Sequence, residues 1–111
     1  MRSEVQALIS VLARHGYREI SEARPAIKAG LEIAGLGDAT IPDFPDDWKS
    51  VLDAALKPLD QLRLADKERL VKAMIATAMH DGQLLPEEAE LLRAVCACLH
   101  IPLPMIRNAS R

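Results

Sequence analysis

Aromatic residues are nearly missing from this 111-residue chain: only Tyr17, Phe44 and Trp48 are present. Strands favour aromatic and β-branched side chains, so a sheet-built core is not expected. No segment sustains the apolar–polar alternation of a half-buried strand. An excess of one charge is missing too. Fourteen Lys and Arg stand against sixteen Asp and Glu, a net charge of −2. That balance argues against a nucleic-acid module, which needs a basic surface for phosphate. No apolar run approaches the roughly 18 residues of a membrane span. The opening Met1-Arg2-Ser3-Glu4 lacks the apolar stretch of a signal peptide.

Cysteine is limited to Cys96 and Cys98. On a helix, residues two apart point about 200° away from each other, so these two cannot bridge without unwinding it. Two thiols also fall short of a four-ligand zinc site. Both are expected to be reduced, at least one of them in the core, as in a cytoplasmic protein.

What is present is alanine, leucine and helical spacing. Helix 1 is predicted from about Ser3, as N-cap, to His15, with Val5, Leu8, Ile9 and Leu12 on one stripe and Gly16 as the stop. Helix 2 is predicted from about Ser21 to Ala34, with Ala23, Ala26, Ile27, Gly30, Leu31 and Ala34 inward and Gly35 and Gly37 at its end. Pro25 is expected only in its opening turn or at a local restart. Gly30 leaves that face flat enough for close helix contact. Residues 36–46, rich in Pro and Asp, form a connector whose Ile41 and Phe44 dip into the core, or else a linker between two subdomains.

Helix 3 is predicted over about Asp47–Lys57, capped by Asp46 or Asp47, with Trp48, Val51, Leu52, Ala55 and Leu56 on one face and Pro58 as a stop or kink. Helix 4 covers about Asp66–His80, with Leu70, Val71, Met74, Ile75 and Ala78 inward. Helix 5 covers about Pro86–Leu99, with Leu91, Leu92, Val95, Cys96 and Leu99 inward. Pro86 suits a first helical position, and Glu87 and Glu88 complement the helix dipole. Ile101-Pro102-Leu103-Pro104 is then extended and packs back on the bundle.

Motifs of catalysis are missing: no His-Glu-x-x-His, nucleophile elbow, phosphate loop or dinucleotide fingerprint occurs. His15, His80 and His100 fall at three predicted helix ends, a dispersal that suits capping better than shared metal ligation. The densest polar stretch is His80-Asp81-Gly82-Gln83-Leu84-Leu85-Pro86-Glu87-Glu88. In a calcium loop with Gly82 at position 6, Asp81 falls at 5 and Glu88 at 12, but Thr77 falls at 1 and Met79 at 3. Two carboxylates dehydrate calcium poorly, so Asp81-Gly82 reads first as a turn, with Asp81 and Glu88 as weak metal candidates. The basic residues Lys57, Arg63, Lys67, Arg69 and Lys72 are interleaved with Asp60, Asp66 and Glu68 and read as a solvated face.

Residues 70–93, an apolar helix ending in Asp81-Gly82, a short turn, and an acidic opening running into Glu90-Leu91-Leu92, resemble the TerB-like (tellurite-resistance type) helical domain. The turn departs from that pattern at Leu85, which cannot cap through its side chain. A narrower likeness covers Leu8–Gly16 through Leu31 and Ala89–Val95 through Pro104. These segments are similar to the region after the catalytic domain in bacterial membrane zinc metallopeptidases of the HtpX-like kind. The cysteine often found before the terminal Pro-Leu-Pro is replaced there by Ile101. The resemblance implies a C-terminal part of such a protein, without its membrane helices or zinc ligands.

The expectation is therefore an all-α, TerB-like bundle of five to six helices forming one domain over 1–111, with 36–46 as its one break. It is read as a non-catalytic accessory or protein-interaction domain with no cofactor. Its partner is a protein or the rest of a parent peptidase, not nucleic acid or a membrane core. The alternative is a free-standing stress-response module that binds a divalent cation or a partner protein.

Overall fold

Helix 1 occupies the centre of the molecule. In the computed structural model, which describes residues 2–17, 19–37, 46–80, 82 and 84–102, there are five helices. They are α1 (Arg2–Gly16), α2 (Ile20–Ile33), α3 (Trp48–Leu59), α4 (Leu64–Ala78) and α5 (Pro86–Cys98). No strand occurs among the described residues. α1 packs against each of the other four, and α2 lies along α4. All of residues 8–13 are buried, so α1 is covered around its whole circumference rather than along the single stripe its spacing predicts. A helix apolar all round belongs inside, and Leu8-Ile9-Ser10-Val11-Leu12-Ala13 has only Ser10 to interrupt it.

Two apolar clusters meet across α1 and α4. The larger gathers Leu8, Leu12, Leu59, Val71, Met74, Leu92 and Leu99 with their neighbours. The smaller gathers Ile9, Ala13, Ala23, Ile27, Leu31 and Ala73, and half-buried Val5 touches both. Burying one such large side chain contributes about 1.5–3 kcal/mol. All five inward positions expected of α5 are buried. Of the inward positions expected of α4, Leu70, Val71, Met74 and Ala78 are buried and Ile75 only partly, and the buried face widens to Ala73 and Thr77. The reason is Gly30. A methyl there would collide with Thr77 Oγ1 and stand 2.9 Å from the Ala73 carbonyl oxygen, so α2 approaches α4 over Ala73 and Thr77.

Helix ends account for the remaining differences. α1 begins at Arg2, so Ser3 is a helical residue whose Oγ donates to Glu4 Oε1 at 3.3 Å rather than a cap. α2 starts after Glu19, not at Ser21, and runs through Pro25. Proline is tolerated there, beyond the opening turn, because the one bond it forfeits belongs to the carbonyl of exposed Ser21. α3 likewise continues through Pro58 to Leu59, forfeiting a bond to the carbonyl of exposed Ala54. Asp47 caps α3 by accepting from Ser50 N at 3.4 Å, as expected. α4 starts at Leu64, two residues before Asp66. Ile41, Phe44, Asp81, Gln83, Leu103 and Pro104 lie outside the described residues.

Candidate functional site

The turn between α4 and α5 is the place the sequence singles out. α4 extends to Ala78 and α5 opens at Pro86, so Thr77, the first position of the twelve-residue calcium pattern, is a helical residue. Thr77 is fully buried and its hydroxyl donates to the Ala73 carbonyl at 3.2 Å. Gly82 takes a left-handed φ of 82°, which glycine adopts without steric cost, and its N–H donates to Met79 O at 2.9 Å. Asp81 lies outside the described residues.

Glu88 is placed, and it faces inward. It is 1% exposed, and Oε1 accepts the Leu85 backbone N–H at 3.1 Å. This is the returning half of a capping box; Leu85, with an apolar side chain, cannot supply the other half. The carboxyl group rests on the end of α1, where a methyl at Gly16 would lie 2.7 Å from its carboxyl carbon. Glu88 thus packs α5 against the end of α1, a role the sequence reading missed because it weighed this acid only against the helix dipole and as a weak metal candidate. Among the described residues no three His, Cys, Asp or Glu side chains are grouped to share a metal ion.

A second polar cluster joins the ends of α3, α4 and α5. Lys67 Nζ donates to Asp60 Oδ1 at 2.9 Å and to the Leu99 carbonyl at 2.7 Å. His100 Nδ1 donates to the same Asp60 oxygen at 3.0 Å. The Lys67 and then the His100 hydrogen bonds hold the Asp60 carboxyl below its ordinary value. His100 sits at φ 58°, the left-handed position that closes α5 in a Schellman turn, with Ile101 N donating to Cys96 O at 3.0 Å and His100 N to Ala97 O at 3.2 Å. The cation at this helix end is Lys67, from another helix, while exposed His100 turns to Asp60.

The basic face therefore resolves into separate roles. Lys67 closes α5. Arg69 lies at the end of α2, its Nη1 3.6 Å from where a Gly35 Cβ would stand, and α2 has no basic residue in its own last turn. A guanidinium there complements the negative end of the helix dipole. Lys57, Arg63 and Lys72 are exposed. His15 donates from Nδ1 to Val11 O at 2.9 Å and meets Trp48 edge-on at 4.6 Å. His80 is exposed. Both cysteines are free, Cys98 exposed and Cys96 buried, where desolvation pushes its thiol up.

A concavity lies elsewhere, at the end of the bundle where α1 and α4 begin and α2 finishes. It measures about 410 Å³ and is lined by Val5, Ala34, Leu36, Leu62, Asp66, Arg69 and Leu70. Its floor is apolar, and the acid and the base are exposed side chains one turn apart on α4. The sequence offered no direct signal for it, because its walls come from four separate segments.

Fold and surface together define a small helical module with an open groove at one end. Residues 42–110 match the family described as tellurite resistance protein TerB, and that is more than half of the chain. The chain belongs to the TerB family. No curated protein and no solved structure matches it. The matched segment holds α3, α4 and α5, whereas α1 and α2 lie before it. No helix among the described residues is long and apolar enough to cross a membrane.

Proposed function

We propose that this chain is a non-catalytic protein-interaction module that works through the groove at its α2–α4 end. The observation that carries the reading is the groove's make-up: an apolar floor, opposite charges on the rim, and about 410 Å³ of open space. Apolar surface ringed by polar groups marks a place where another surface docks. The finer form of the proposal makes the module the C-terminal part of a membrane zinc metallopeptidase of the HtpX-like kind. The likeness of Leu8–Leu31 and Ala89–Pro104 to that region supports it.

The test has two arms. The natural gene should carry a His-Glu-x-x-His segment upstream, and the purified catalytic domain should bind this chain about ten-fold more weakly once Leu36→Glu places a charge in the groove. A gene without that segment removes the peptidase form. Binding indifferent to Leu36→Glu removes the groove.

A second reading is a free-standing stress-response module taking a divalent cation through Asp81 and Glu88. Its support is the family itself and a buried carboxylate beside the turn. Titration with calcium, magnesium or zinc during thermal unfolding tests it, since an ion at 100 times its Kd adds about 2.7 kcal/mol. No shift with any of the three ions removes it.

A further inference from the structure

We draw no further inference here: the strongest candidate, the open apolar groove where α1 and α4 begin and α2 finishes, belongs to the site already described, and nothing in the structure shows what covers it.

Discussion

The ammonium of Lys67 lies 2.7 Å from the carbonyl oxygen of Leu99, so a side chain near the start of α4 finishes α5. The last carbonyls of a helix lack partners within it. The Lys67 side chain is 12% exposed, so water replaces this bond poorly. Lys67→Met keeps the stem's packing and removes the charge. It should cost about 1.5–3 kcal/mol in urea unfolding, the range for a hydrogen bond to a charged group.

Asp60 predicts a pH dependence. Its folded-state value lies below the ordinary 3.8 because Lys67 and then His100 hydrogen-bond the ionised form. The folded state therefore binds this proton less readily than the unfolded chain. The resulting stability is fully present above the ordinary value and is lost as pH falls through the lowered one. Asp60→Asn should flatten the acid limb of a stability–pH curve below about pH 4.

His100 separates backbone strain from side-chain bonding. At φ 58° any residue with a Cβ is penalised, whereas glycine is not. His100→Ala loses the Asp60 bond and keeps the penalty; His100→Gly loses the bond and removes the penalty. Glycine should be the more stable of the two by about 1 kcal/mol in thermal melts. Equal stabilities would mean that the left-handed turn is not maintained in solution.

Gly30→Ala sets helix propensity against contact. An exposed helical site would gain about 1 kcal/mol from alanine. Here the methyl would stand 2.9 Å from the Ala73 carbonyl oxygen as well as striking Thr77 Oγ1. Overpacking should win, with a net loss of about 1–3 kcal/mol. Adding Thr77→Ala should recover only part of it, because the backbone oxygen remains.

Glu88 distinguishes anchoring from metal binding. Glu88→Gln keeps an oxygen for the Leu85 N–H and should unfold close to wild type if that bond is what matters. Glu88→Ala leaves the part-buried Leu85 N–H without this acceptor and should cost about 1–3 kcal/mol, the same with or without chelator. A loss that chelator abolishes would instead favour the cation reading.

The sequence carried the helices well and their partners poorly. Existence and type of all five followed from apolar spacing, and the core of α5 was legible residue by residue. Ends slipped by one or two positions where the true boundary lacks a side-chain cap, as at Glu19 and Arg63. The burial of Ala73 and Thr77 on α4 was not legible, because it depends on Gly30 in another helix. Lys67 and Arg69 looked like solvated charges for the same reason: the helix ends they neutralise belong to α5 and α2. Glu88 was identified as an acidic helix opening, but its burial depends on Gly16, far upstream in the chain. Local chemistry leaves marks in sequence; a neighbour brought in by the fold does not.

Because α1 threads the middle of the structure yet precedes the segment that carries the family likeness, similarity and structural integrity have different borders here. A shortened chain starting at Pro42 would keep the recognisable part and lose the rod around which it is assembled. Leu59, Met74 and Leu92 would then face water or one another across a void. Engineering this protein, or grafting it elsewhere, has to respect the rod rather than the likeness.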